Sequence, residues 1–251
     1  MLALFKKRLL RLSLRSRAVL EVRNISFAWG RKQLLEDVSF TIAPGEVAVL
    51  AGANGAGKTS LMKVLAGLCM PSGGTVAADG VDIFANPLRY RRMMGYLPES
   101  APADPDMTVR SYLRYRANLR GEMAKKIRHR VAEAMDLCGL EESAGAFIGS
   151  LSFGLRKRVA LADALLLRPR FLFLDDLLAG LDPVTREMFG RILAAISSIA
   201  AVVVSGHEID ELARWATKFY VIKEGHALGA KTASGAKMLL GLTPRAKGGA
   251  A

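Results

Sequence analysis

Three short runs rich in apolar and β-branched residues fill positions 19–51: LEVRNISFAW, VSFTI and VAVLA, parted by turn residues at Gly30 and Pro44-Gly45. Runs of that length, bounded by Gly and Pro, predict strands. A helix-like segment follows from Leu61 to Leu68, then a turn (SGGTVAADG) that feeds a short strand, then another short strand in MGYLP, Met94–Pro98. From Ala101 the pattern changes. The loop APADPDM ends at Thr108, a helix-capping residue, and helical runs cover Val109–Leu119, Met123–Leu137 and Phe153–Leu167 with no strand among them. Apolar strands resume at Phe171–Leu174 and Ala201–Ser205, flanking a helix from Val184 to Ile199, which is a parallel-sheet unit. The expected fold is α/β: an antiparallel β-subdomain at the N-terminus, a parallel sheet, and an inserted α-helical subdomain at about 101–165. Residues 19–242 form the expected domain, 1–18 a basic tail and 243–251 a disordered one. No internal repeat is visible, so tandem copies of a site are excluded.

Composition changes this picture in two ways. The 251 residues suffice for a hydrophobic core, so neither disulfides nor a structural metal is needed. Cys69 and Cys138 sit in apolar contexts without C-x-x-C spacing and read as reduced core residues, and the three histidines are too scattered for a metal site. The net charge of +13 calls for an anionic neighbour, with clusters at Lys6–Arg17, Arg89–Arg92, Lys125–Arg130 and Arg156–Arg158. No aromatic residues are interleaved with these as a stacking platform, so nucleic acid is not expected as a partner. Both the Arg156–Arg158 and the Lys125–Arg130 clusters read as solvated helix faces. The longest uncharged stretch, Ile192–Gly206, is too short to span a bilayer and parses as a helix end plus a buried strand. The N-terminus lacks the apolar core and cleavage site of a secretory signal.

The chemistry concentrates after the strand VAVLA. Gly52, Ala53, Asn54, Gly55, Ala56, Gly57, Lys58, Thr59 and Ser60 fit G-x-x-x-x-G-K-[ST], the phosphate-binding loop. Its glycines can turn successive backbone N–H groups inward around a polyphosphate, and the dipole of the next helix faces the same anion. Lys58 reaches the β- and γ-phosphates, and the Thr59 hydroxyl suits Mg²⁺. A nucleoside triphosphate is the expected ligand. Further on, the apolar strand FLFLDD delivers Asp175 towards a metal-bound phosphate, with Asp176 next, Asp182 in a turn before a helix, and His207 after the following strand.

With these motifs in this order, the chain resembles the nucleotide-binding subunits of ABC (ATP-binding cassette) transporters from about Leu20 to Leu240. In that resemblance Gly52–Thr59 is the Walker A loop and Trp29 the aromatic residue that stacks on adenine. Glu99 in GYLPE stands at the Q-loop, and LSFGL at the signature motif, with Ser152 and Gly154 contacting a nucleotide across a dimer. Asp175 is the Walker B carboxylate, Asp176 the position of the general base, Asp182 part of the D-loop and His207 the switch histidine that holds the γ-phosphate. The resemblance implies a P-loop NTPase (ABC ATPase) core and ATP with Mg²⁺, the metal held by Thr59, Asp175 and Glu99. It also implies a second ATPase subunit, a separate membrane permease, and peripheral placement on the cytoplasmic face of the cell membrane. GYLPE with its proline-rich loop resembles the ABC-2-type export branch.

Three departures from the family pattern stand out. The base is Asp176 rather than Glu, followed by Leu177 rather than Pro. The lost methylene draws the carboxylate back by ~1–1.5 Å, a displacement that can cost on the order of 100-fold in rate. Phe153 and Leu155 replace smaller or polar signature residues, and Glu99 stands where Gln is usual. Three readings remain open: an active transporter ATPase, a degenerate cassette that binds ATP and turns it over weakly in a regulatory role, and a non-transport ABC protein. Trp29 is open too, as a core aromatic or a stacking platform.

Overall fold

The computed structural model describes residues 19–100 and 103–242, so the two terminal tails expected from the sequence lie outside the described residues. Strand β1 (Leu20–Trp29) and strand β2 (Lys32–Ile42) form an antiparallel hairpin paired from Leu20↔Ile42 to Trp29↔Lys32, with register shifts between Val22 and Ala28. β4 (Gly73–Ala78) pairs antiparallel with the other edge of β1 and with the two-residue β5 (Val81–Asp82), giving a sheet of order β2-β1-β4-β5.

The second sheet has six strands in the order β10-β9-β3-β8-β7-β6. These are β3 (Val47–Gly52), β6 (Met94–Leu97), β7 (Phe171–Leu174), β8 (Ala201–Ser205), β9 (Lys218–Lys223) and β10 (His226–Ala230). All neighbours are parallel except β10, which runs antiparallel to β9. Every residue of β3, β7 and β8 is buried. Both faces of these strands are covered, which is why they read as unbroken apolar runs rather than alternating ones.

Helix α1 (Lys58–Leu65) follows β3 directly, and α2 (Pro87–Met93), capped by the Asn86 side chain, precedes β6. Among the described residues three α-helices lie between β6 and β7: α3 (Val109–Leu119), α4 (Ala124–Leu137) and α5 (Phe153–Leu165). Thr108 caps α3, as its side chain accepts from the Ser111 amide. The buried residues of α3 (Val109, Tyr112, Leu113, Ala117) and of α4 (Ile127, Val131, Ala134, Met135) recur at helical spacing and share one core cluster. Truncating the fully buried Leu113 to Ala would cost about 2–5 kcal/mol. Helix α6 (Pro183–Ile196), short α7 (Ile209–Leu212) and α8 (Ala233–Leu239) complete the helices of the described residues.

Several boundaries differ from the sequence expectation, among them the start of β2 at Lys32 rather than Val38, and two have local reasons. α1 begins at Lys58, three residues earlier than its apolar pattern, because Gly57 leaves the loop at φ 104°. α6 stops at Ile196, where the Ser197 and Ser198 hydroxyls turn back onto the Ala194 and Ala195 carbonyls.

The topology fixes where ligands can go. In an open sheet of parallel strands, binding occurs beyond their carboxyl ends. Here those ends release Gly52 from β3, Asp175 from β7 and Ser205 from β8 at one rim.

Candidate functional site

The three strand ends enclose a cleft of about 610 Å³. The loop after β3 contributes Asn54, Gly55, Gly57, Lys58, Thr59 and Ser60 to its wall. Asp175 and Asp176 enter from β7, Ser205 and His207 from β8, and Glu99 from the segment after β6. Lys32 and Leu34 of β2 close the side facing the antiparallel sheet. Two glycines are required by this geometry. A Cβ on Gly57, which has φ 104°, would lie 2.9 Å from both the Leu34 carbonyl oxygen and Leu35 Cδ2. A Cβ on Gly52 would lie 2.7 Å from the Ile222 carbonyl oxygen.

Lys58 is the first residue of α1, and its Nζ donates to the carbonyl oxygens of Gly52 at 2.8 Å and Ala53 at 2.9 Å. Burial lowers its pKa, while the Asp176, Asp175 and Glu99 carboxylates oppose that shift. No side chain caps α1, so its leading N–H groups are available to an anion.

Asp175 is 1% exposed. A buried carboxylate needs hydrogen bonds, and three hydroxyls supply them. Ser205 Oγ donates to Oδ1 at 2.6 Å, Thr59 Oγ1 to Oδ1 at 3.3 Å and Tyr96 OH to Oδ2 at 3.4 Å. The Tyr96 phenol is pushed well above its ordinary pKa, first by burial and then by the Asp175 charge, so it stays a proton donor.

Asp176 adopts the left-handed conformation at φ 46°. Its backbone is held from two directions: the amide donates to Ser205 Oγ at 2.8 Å, and the carbonyl accepts from Lys157 Nζ at 2.7 Å. Its Oδ1 is buried without a hydrogen-bond partner, which is costly unless a ligand or water supplies one.

The cleft therefore fits a magnesium-charged polyphosphate. It offers a glycine cradle, an uncapped helix start, one ammonium, and a hydroxyl and carboxylate oxygen 3.3 Å apart as hard-cation ligands.

Other residues named from the sequence lie elsewhere. Trp29 is 71% exposed at the end of β1, which rules out the core-aromatic reading, and it does not itself line the cleft. Ser152 is exposed as the N-cap of α5, its hydroxyl accepting from the Leu155 amide at 3.3 Å. Gly154 faces Asp182 and Thr185. Neither lines the cleft of their own chain. Asp182 caps α6 through the Thr185 amide at 2.9 Å.

Two sequence expectations are corrected. The Arg156–Arg158 cluster is not a solvated face: Lys157 is 1% exposed, Arg156 donates to the Leu151 carbonyl and Arg158 to Thr185 Oγ1 at 2.9 Å. Three consecutive positions sweep most of a helix circumference, so one of them turns to the core. Arg186 of α6 pairs with both Glu208 and Glu211, at 3.5 and 2.7 Å. Residues 125, 126 and 128 of the Lys125–Arg130 cluster are exposed, whereas Arg130 pairs with Glu122 at 2.9 Å.

Sequence reasoning passed over Ser205, Tyr96 and Lys157. Ser205 alone carried a signal, as a polar residue closing an otherwise apolar strand.

Known proteins share this sequence pattern and fold. The family model described as ABC transporter matches residues 35–179. The Nod factor export ATP-binding protein I of Burkholderia orbicola is 34% identical over 212 residues, covering 84% of this chain and 70% of that protein. A solved structure of the ATP-binding subunit of an ABC transporter superposes with a TM-score of 0.79 at 27% identity, covering 91% of this chain and 95% of the other. The cbiO1 protein from Clostridium perfringens, part of the ABC transporter complex cbiONQ, gives a TM-score of 0.76 at 25% identity over 90% and 92%. This chain belongs to the ABC transporter family, as an ATP-binding subunit that hydrolyses ATP to power a membrane permease.

Proposed function

We propose that two copies of this fold sandwich ATP head to tail and drive an exporter permease from the cytoplasmic face of the membrane. One observation carries the sandwich: at the α5 N-terminus Ser152 is exposed and Gly154 half-buried, and both lie outside the cleft of their own chain. A second ATPase subunit, a copy of this chain or a related one, would bring such a terminus onto the γ-phosphate. Lys58 and the loop amides bind the phosphates, and Trp29 stacks on the base. Asp176 takes a proton from the attacking water, and exposed His207 orients the γ-phosphate. Thr59 and Asp175, with Glu99 nearby, would hold Mg²⁺, which would supply charge neutralisation on the transferred phosphoryl group.

For the permease contact we propose a second groove of about 650 Å³, where Leu68, Tyr96, Pro98, Tyr112 and Leu119 are joined by Arg91, Arg116, Arg120 and Asp163. Leu68 is 53% and Leu119 60% exposed, and apolar surface of this kind calls for a covering partner. Among the described residues no helix is long and apolar enough to cross a membrane. The groove adjoins the nucleotide cleft: Pro98 lines one and Glu99 the other, and Tyr96 lines the groove while bonding Asp175. Export follows the direction named for the Nod factor export relative.

A second reading, a cassette that binds ATP and turns it over weakly, draws on the short Asp176 side chain and its unpartnered oxygen. Turnover by purified wild type beside Asp176→Glu, with light scattering on Asp176→Asn, decides between them. Expected are Mg²⁺-dependent turnover, an Asp176→Glu rate within about tenfold of wild type, and an ATP-dependent Asp176→Asn dimer. Background turnover raised about 100-fold by Asp176→Glu overturns the active-enzyme reading, and a monomer at saturating ATP overturns the sandwich.

A further inference from the structure

Lys157 is the most buried cation of the described residues, at 1% exposure, and it forms no ion pair among them. Its Nζ donates to the carbonyl oxygens of Asp176 at 2.7 Å and Ala179 at 3.3 Å. The Phe153 ring, one turn earlier on α5, lies 5.8 Å from the same ammonium. That ring also packs on the far end of the turn, where a Cβ on Gly180 would come within 2.9 Å of Phe153 Cε1. The Asp176–Gly180 turn is thus gripped at both ends by α5.

A buried ammonium paired only with carbonyls is costly, and an apolar side chain of the same shape would pack there more cheaply. Burial lowers the pKa of Lys157 accordingly, against the opposing charges of Asp176, Glu99, Glu208 and Asp175. What the ammonium adds is geometric. The peptide groups on the two sides of Asp176 are held by different bodies: the amide by Ser205 of β8, the carbonyl by Lys157 of α5. Asp176 sits between them at φ 46°, a conformation that needs such support.

We propose that Lys157 is a positioning residue that couples the two nucleotide sites of the dimer, a step that rests on the head-to-tail reading above. Helix α5 presents Ser152 to the partner's nucleotide and, five residues later, Lys157 to the turn that aims its own Asp176. Seating of α5 on one ATP is thereby transmitted to the water-activating carboxylate of the other site. Phe153, a departure from the family signature, serves the same grip by bracing Gly180.

Lys157→Met keeps the stem and removes the donor. It is expected to lower kcat about 10- to 100-fold, leave KM and the Kd for ATP within about twofold, and bring the Hill coefficient of turnover towards 1. Amide exchange in the peptide covering 176–182 should accelerate, while the peptide covering 52–60 stays unchanged. The exchange measurement uses full-length protein without nucleotide, so it reads the tie independently of turnover. Wild-type protein that fails to dimerise with ATP removes the reading beneath the proposal. Unaltered exchange at 176–182, or a kcat within twofold of wild type, overturns the proposal itself.

Discussion

Ser205 Oγ donates to Asp175 Oδ1 at 2.6 Å, so the last residue of β8 fixes the carboxylate at the end of β7. The same oxygen accepts the Asp176 amide at 2.8 Å, which makes one hydroxyl the common support of two consecutive acidic residues.

Ser205→Ala leaves a part-buried amide without a partner and strips the closest donor from the buried Asp175. An unsatisfied buried group costs about 1–3 kcal/mol, and each kcal/mol lowers Tm by about 2–4 °C in a chain of this size. Urea unfolding followed by circular dichroism measures this directly. An unshifted midpoint would show that the hydroxyl supports neither residue.

Much of this arrangement was legible from sequence because the physics is local. The runs Phe171–Leu174 and Ala201–Ser205 are buried on both faces, and only a covered parallel strand combines that brevity with continuous apolarity. Lys58, Thr59, Glu99, Asp175, Asp176 and His207 come from four separate segments, yet the parallel topology gathers them at one rim. The strands at Lys218–Lys223 and His226–Ala230 were not read, since the first begins and ends in lysine and the second holds only one large apolar residue, Leu228. Their pairing is what defines them. Lys157 was read as solvated because a basic triplet carries no record of which member faces inward; that depends on the angle at which α5 meets the Asp176 turn. Tyr96 hid within a motif assigned to Glu99, and its bond to Asp175 spans 79 residues.

Lys58→Met tests the phosphate-binding loop. Losing a hydrogen bond to a charged group costs about 1.5–3 kcal/mol, which is roughly 10- to 100-fold in Kd for ATP. The substitution also has a pH signature. Burial sets the folded-state pKa of Lys58 below its ordinary 10.5, so in that window the unfolded chain holds more protons. The contribution of Lys58 to stability is therefore present above 10.5 and lost as pH falls through the folded-state value. Wild type should gain on Lys58→Met as pH rises towards 10.5, measured by denaturant unfolding of both proteins across that range. A pH-independent difference would mean that the ammonium is not desolvated.

Asp163 of α5, with its side chain 8% exposed, clamps two arginines of α3: Arg116 at 3.0 Å and Arg120 at 3.1 Å. Asp163→Asn removes their shared counter-charge next to the proposed permease groove. Breaking a buried pair in this way costs about 3–5 kcal/mol, with the low end expected because Arg116 is 35% exposed. The Tyr112 phenol gives a second readout. It is pushed up to about 12, first by burial and then by the Asp163 charge, while both arginines pull it down. Its pKa should fall in Asp163→Asn. An absorbance titration that shows no fall, together with unaltered unfolding, would deny the clamp.

Trp29 offers the sharpest separation of base from phosphate recognition. It is 71% exposed at the end of β1, while Lys32 and Leu34, across the hairpin, line the cleft. Leaving so large an apolar ring in water is unfavourable unless something covers it, and a purine face is the covering proposed above. Stacking of a base on an aromatic ring is worth about 1–3 kcal/mol by alanine substitution, or roughly 5- to 150-fold in affinity. Trp29→Ala should therefore raise the Kd for ATP by that factor and leave binding of inorganic tripolyphosphate unchanged, because the loop from Gly52 to Thr59 lies apart from the ring. Competition of both ligands against a fluorescent nucleotide measures the two constants on one sample. Equal losses for ATP and tripolyphosphate would mean that Trp29 supports the loop rather than the base, and no loss for either would leave the exposed ring to a protein partner.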